Sequence, residues 1–294
     1  MGSSGIGQVL LPVALFSIMF GVGMSLHLKA FSLLWQRPVI VGVAVITQLL
    51  FLPILALLVV SLFQVPAVLA VGILVLSFAP GGATSNMITY LCKGDTVLSV
   101  CITAISGLIT PFTMPIFTML AISYLLGDST AVSLPVVETV AKLLLIAVVP
   151  VFLGALVHNK WPHICQKLEI ITKALACLFL IVVVIGIVKA NLATLPSYLV
   201  QVAPAVLCLV TMAMLSGYLI AKLMGLTSEQ KLTYAIEIGI QNAAVALIIT
   251  SAILQNDEMS ASALIYGVLM NIPAFMLIIW RNWPILSRRA RTVV

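Results

Sequence analysis

Charge is what this chain has least of. Charged residues make up 7% of its 294 positions and hydrophobic residues 63%, at a mean hydropathy of +1.27. A soluble domain carries about 25% charged residues, so a water-soluble enzyme or binding domain is excluded and an integral membrane protein is implied. Histidine is scarcer still: His27, His158 and His163 fall in breaks between apolar runs without ligand spacing, and read as solvated loop residues. The five cysteines, Cys92, Cys101, Cys165, Cys177 and Cys208, follow no pairing pattern. Most lie in or beside apolar runs, where a thiol behaves as a small hydrophobe, so neither a disulfide framework nor a metal centre is expected. No nucleophile–base pair is visible, and no enzyme is expected. Residues 1–8 lack a charged leader region, against a cleaved signal peptide, and Ile6 stands where N-myristoylation needs Ser or Thr. The net charge of +6 forms no patch, because Lys and Arg flank the apolar runs, so nucleic acid is not an expected partner.

Apolar length is what the chain has in abundance. Runs near 7–28, 38–62, 66–91, 96–126, 132–157, 174–190, 199–224, 230–254 and 260–283 approach or exceed the roughly 20 residues of a membrane span. They predict an all-α integral membrane protein with nine transmembrane helices, one polytopic unit over residues 1–294. If the loops alternate, every Lys and Arg except Lys142 and Lys189 falls on one side, while Asp128, Asp257 and Glu258 fall on the other. The positive-inside rule then puts the amino terminus outside and the carboxyl terminus in the cytoplasm, in a plasma or bacterial inner membrane. Glu138, Lys142 and Lys189 lie near span ends, where long charged side chains snorkel.

Two spans are interrupted. The third carries Ala79-Pro80-Gly81-Gly82-Ala83-Thr84-Ser85-Asn86, and the eighth carries Glu237 beside Gly239, Gln241 and Asn242. Each interrupted span is the middle of a trio, spans two to four and seven to nine, and the charge count gives the trios opposite directions. That is the pattern of an inverted-topology repeat, whose binding site is expected where the broken members meet at the midplane. Spans one, five and six would form a separate, more apolar layer.

An acid at the centre of a membrane helix costs roughly 2.5–3.5 kcal/mol even on lenient scales, and is functional by default. Around Glu237 the polar residues available inside the membrane are Gln48, Ser85, Asn86, Ser99, Thr103, Gln241 and Asn242. Ser99 and Thr103 are four apart and share a helix face. All of these side chains offer oxygen, which hard cations prefer, and carbonyls freed at a break can add to the cage. Taken alone, each hydroxyl can instead bond the carbonyl one turn back, and Gln48 can glue two helices. The restarting half-helices also present free N–H groups, which suit an anion. Cations near Glu237 with an anion close by is the arrangement of a sodium-coupled anion symporter.

The motifs that carry this reading resemble those of the bile acid:sodium symporter family, nine-helix type. The likeness rests on the 79–86 stretch, on Thr89-Tyr90-Leu91-Cys92-Lys93-Gly94-Asp95, on Leu98-Ser99-Val100 and on Glu237-Ile238-Gly239-Ile240-Gln241-Asn242, and extends in pattern from about residue 10 to 283. It implies a core (38–126 and 199–283) that moves against a panel (7–28 and 132–190), with the two broken helices crossing and two sodium ions behind the crossing. Carried over by position, one sodium site would use Ser85, Asn86, Ser99, Thr103 and Glu237. The other would use Gln48, Glu237, Gln241 and the carbonyls of Ile238 and Ile240. Asn242 and Asn271 would face the substrate, a bile acid or a smaller organic anion. Relatives often place threonine directly after the glycine pair; here Ala83 does so and Thr84, the remaining substrate candidate, follows, about 100° further round a helix. A proton-coupled transporter with Glu237 as carrier, and a membrane receptor that binds the anion without moving it, are the alternatives. Oligomeric state cannot be read from the sequence.

Overall fold

In hydrocarbon, each unpaired backbone N–H or C=O costs several kcal/mol, so an apolar chain of this kind folds into helices. The computed structural model describes residues 35–127, 134–161 and 191–291, with most of 12–24 and 178–189; side chains are described up to residue 283. Every regular element among the described residues is helical. The described parts of 12–24 and 178–189 are helical; the remaining elements, in chain order, are α1 (Pro38–Leu62), α2 (Ala67–Ser77), α3 (Ala83–Leu91), α4 (Thr96–Leu126), α5 (Val136–Lys160), α6 (Leu195–Leu223), α7 (Ser228–Gly239), α8 (243–253), α9 (Asp257–Leu269) and α10 (Asn271–Arg291).

Among the described residues, six stretches are long and apolar enough to cross a membrane: α1, α4, α5, α6, the α7–α8 pair and the α9–α10 pair as far as Trp283. They coincide within a few residues with the runs expected at 38–62, 96–126, 132–157, 199–224, 230–254 and 260–283. The expected 66–91 span is two short helices, α2 of 11 residues and α3 of 9. The expected spans at 7–28 and 174–190 lie partly outside the described residues, as do Lys29, Lys167, Lys173 and Asp128 of the charge pattern.

Polar punctuation sets the helix ends. The Asp95 carboxylate accepts from Leu98 N–H at 3.0 Å to start α4, and the Asn256 side chain accepts from Met259 N–H at 2.9 Å to start α9. Thr227 and Gln230 form a reciprocal capping box at α7. Besides Gly127 (φ 78°) after α4, left-handed residues close four helices: Gln64 (φ 50°) after α1, Lys93 (56°) after α3, Gly225 (69°) after α6 and Gln255 (50°) after α8. Three of these turns carry the Schellman bond, from Val65 N–H to Val60 O (3.0 Å), Gly94 to Thr89 (2.9 Å) and Leu226 to Ala221 (3.0 Å). The fourth is one residue wider, Asn256 N–H to Thr250 O at 3.0 Å, as its π-helical end (Ile248–Ile253) requires. The two trios are therefore punctuated alike, at corresponding places.

The broken helices lie at the centre. In α2 every residue from Leu69 to Ser77 is buried, enclosed by α1, α4 and α9. Across the breaks, α2 packs against α8 and α3 against α7, so the two chains pass each other in opposite senses. Close approach depends on small residues. A Cβ on Gly72 would overlap the Met259 carbonyl oxygen and Ser262 Oγ of α9. Because one of those obstacles is backbone, Gly72→Ala should destabilise the fold by about 1–3 kcal/mol. A lowered melting temperature in detergent is the expected result; an unchanged one would show that the α2–α9 contact relaxes freely.

Candidate cation site at the helix breaks

Proline has no N–H and fixes its own φ, so Pro80 cannot continue α2. The chain then runs extended through Gly82 (φ −149°, ψ −149°) before α3 begins. In the second break Ile240 (φ −103°, ψ 115°) and Asn242 (φ −94°, ψ 89°) are likewise non-helical. Such backbone at membrane depth survives only where protein or a cavity satisfies it. Here the breaks satisfy each other, with Asn242 N–H donating to Ala79 O at 2.8 Å. Gly81 sits at the contact. A Cβ there would lie 2.6 Å from Ser85 Oγ, 3.1 Å from Ile240 O and 3.2 Å from Glu237 Oε2.

Glu237 occupies the last turn of α7 and is 0% exposed. Ser99 Oγ donates to its Oε1 at 2.6 Å, and Thr103 Oγ1 donates to its Oε2 at 2.9 Å. The shared α4 face expected from their spacing is thus turned onto the carboxylate. Asn86 Oδ1 stands 2.7 Å from Ser99 Oγ and 3.3 Å from Thr103 Oγ1. Each hydroxyl has one hydrogen and cannot serve both neighbours at once. Around this carboxylate, oxygen lone pairs outnumber the hydrogens that could meet them. Ser85 stands beside the group, its own hydroxyl given to Gly82 O at 2.9 Å. Among the described residues the ion pair formed is Lys142 with Glu138 at 2.8 Å, both largely exposed on α5, so no side-chain cation meets Glu237. A hard cation fits this donor set.

A second cluster lies on the other side of the same residue. Gln48, 1% exposed, sits in a π-helical turn of α1 (Thr47–Phe51), the kind of local insertion that re-aims a side chain. Its Nε2 donates to the backbone carbonyl of Glu237 at 2.8 Å. Gln241, also 1% exposed, donates from Nε2 to Ile238 O at 2.8 Å, and its Oε1 is buried with no hydrogen-bond partner. The carbonyl of Ile240 points toward Gly81. An orphaned buried acceptor beside a carbonyl-rich break is the setting in which a further cation gains ligands.

The substrate candidates separate. Asn242 is half-buried, caps α8 by accepting from Val245 N–H at 3.3 Å, and lines a cavity of about 60 Å³. That cavity is walled by both breaks, by Thr103, Gly107 and Thr110 of α4, and by Leu143, Val148 and Val151 of α5. Thr84 is exposed and does not line it. Asn271 spends its amide on the last turn of α9, donating to Gly267 O at 2.8 Å and Val268 O at 3.2 Å.

Two polar residues of the site were not anticipated. Ser106 is 0% exposed and donates to Gln48 Oε1 at 2.8 Å. Thr89 is 0% exposed with its hydroxyl 3.3 Å from Ser99 Oγ. The spacing Ser99, Thr103, Ser106, Thr110 continues one α4 face for three turns and is the signal that finds Ser106. Thr89 lies three residues past Asn86, on the same face of α3.

Comparison with known proteins places the chain among sodium-dependent transporters by sequence. Over 90% of this chain, it is 27% identical to the uncharacterized sodium-dependent transporter YocS of Bacillus subtilis. It is 26% identical to the probable chloroplastic sodium/metabolite cotransporter BASS1 of Oryza sativa (90% of this chain), and 30% identical to the human ileal sodium/bile acid cotransporter (80%). The matches span 77%, 64% and 67% of those proteins' own lengths. The family model described as the sodium bile acid symporter family matches residues 12–197, a stretch that holds Gln48, Ser85, Asn86, Ser99 and Thr103. With more than half of its residues so matched, the chain belongs to the sodium bile acid symporter family.

Proposed function

We propose that this protein is a sodium-coupled symporter that imports an organic anion by alternating access. The observation that carries the reading is Glu237, a fully buried carboxylate with no side-chain cation among the described residues, enclosed by hydroxyl and amide oxygens from α3 and α4. Two sodium ions would share it. One would take Ser85, Asn86, Ser99, Thr103 and the carboxylate; the other Gln48, Gln241, Glu237 and the carbonyls of Ile238 and Ile240. A hydroxyl–amide cage supports sodium over a proton, because a proton carrier needs no such ligand set. The matching turns after α1 and α6, and after α3 and α8, support an inverted repeat inside a nine-span core and panel. The amino terminus would lie outside and the carboxyl terminus in the cytoplasm.

The anion would enter the cavity beside Asn242. At about 60 Å³ this space admits a carboxylate-sized group, not a steroid. Transport of any larger substrate therefore requires the α5 wall to separate from α4 and the breaks. The relatives' names point to bile acids or metabolites as the substrate class. Uptake of a labelled bile acid and of a small carboxylate into proteoliposomes, under an inward sodium gradient and an equal potassium one, tests the proposal. Sodium-dependent uptake of either substrate is expected; uptake driven equally by potassium would end the sodium reading.

Removing one neutral ligand should weaken sodium binding without abolishing it. Gln241→Ala is expected to raise the sodium concentration for half-maximal uptake by about tenfold, the worth of one net hydrogen-bond-sized interaction. A shift in anion affinity at unchanged sodium dependence would move Gln241 from the ion to the substrate.

A further inference from the structure

A serine inside a membrane helix usually spends its hydroxyl on the carbonyl one turn back. Neighbouring residues do so here: Thr110 Oγ1 donates to Ser106 O at 2.7 Å, and Thr47 Oγ1 to Val43 O at 2.7 Å. Ser106 does not. Its hydroxyl leaves α4 and donates to Gln48 Oε1, across 58 residues of sequence and onto another helix. The far end of that amide donates in turn to the backbone carbonyl of Glu237. Both amide ends are therefore engaged, which fixes which atom of Gln48 faces which partner. The Glu237 carbonyl, which only accepts, sets the sense of the amide, and Ser106 anchors its oxygen; without Ser106 that oxygen loses its buried donor and the amide is free to swing about its bond to Glu237 O.

We propose that Ser106 is a positioning residue, which orients the Gln48 amide at the second ion site from the same α4 face that grips the Glu237 carboxylate. One face of α4 thus holds Glu237 at both ends, directly through Ser99 and Thr103 and indirectly through Ser106 and Gln48. The inference rests on the sodium reading given above. It adds a coupling between the two ion sites that passes through α4 as well as through Glu237 itself.

The test is the sodium dependence of uptake in proteoliposomes for wild type, Ser106→Ala and Ser106→Cys, with sodium-dependent thermal stabilisation measured in detergent alongside. Ser106→Ala is expected to raise the half-saturating sodium concentration by about tenfold, as loss of an outer-shell partner does at other ion sites. The KM for the anion at saturating sodium should stay within about twofold, and Ser106→Cys, of similar size with a weaker donor, should fall between. A purely structural role would lower the melting temperature yet leave the sodium concentration dependence of stabilisation unchanged, and that result overturns the assignment. So does wild-type sodium dependence in Ser106→Ala. If Ser106→Ala does not fold, the Ser106→Cys curve decides on the same criterion. Absence of sodium dependence in the wild type would instead remove the sodium reading, and this inference with it.

Discussion

Glu237→Ala abolishes sodium-driven uptake in proteoliposomes: this is the largest effect expected of any substitution in the chain. The carboxylate is fully buried, and its oxygens take the Ser99 and Thr103 hydroxyls at 2.6 and 2.9 Å. Removing one partner of a buried charge pair costs about 3–5 kcal/mol, which is more than about a hundredfold in ion affinity. Alanine also leaves a hole beside Asn86, so Glu237→Gln is the sharper variant. Its amide keeps the shape and can still bond to the hydroxyls, while the negative charge is gone. Both variants should lose sodium-dependent thermal stabilisation together with uptake. Full uptake by Glu237→Gln would show that the carboxylate is not the counter-charge of a transported cation.

Gly81→Ala is expected to lower uptake by about five- to 150-fold, the effect of overpacking by roughly 1–3 kcal/mol at the contact of the two breaks. The added Cβ would stand 2.6 Å from Ser85 Oγ and 3.1 Å from Ile240 O. Ser85 can turn away only by giving up its bond to Gly82 O, and the Ile240 carbonyl is backbone. The strain therefore falls on candidate ligands of both ion sites, and sodium dependence should weaken along with rate. Gly107 supplies the control. It lines the same cavity, yet a Cβ there meets nothing within 4 Å, so Gly107→Ala should retain sodium coupling. Equal losses in the two variants would argue that neither reflects the break contact.

The long spans were legible because burial in lipid is a property of a run of residues. A stretch such as 38–62 or 96–126 shows its length and lack of charge without reference to any other part of the chain. The breaks were legible for the same local reason, since Pro80 interrupts a helix wherever it stands. Ser99 and Thr103 were placed correctly on one face, because helical spacing is also local. The surroundings of Thr84 and Asn271 were not legible in the same way. Thr84 is exposed and Asn271 turns its amide back onto α9, outcomes set by the phase of each helix against its neighbours.

What the sequence determined by itself is the membrane class, the positions of the long spans and breaks, and the presence of an intramembrane acid among oxygen donors. Those follow from desolvation costs that each segment meets on its own. Only the tertiary structure decided which donors meet. Gln48 reaches Glu237 from 189 residues away, out of a π-helical turn that no 3.6-residue periodicity foretells. Ser106 completes that contact from a third helix. Such meetings depend on how far one helix slides and turns against another, and this is fixed by packing across the whole core, where close contacts such as Gly72 against Met259 set the register.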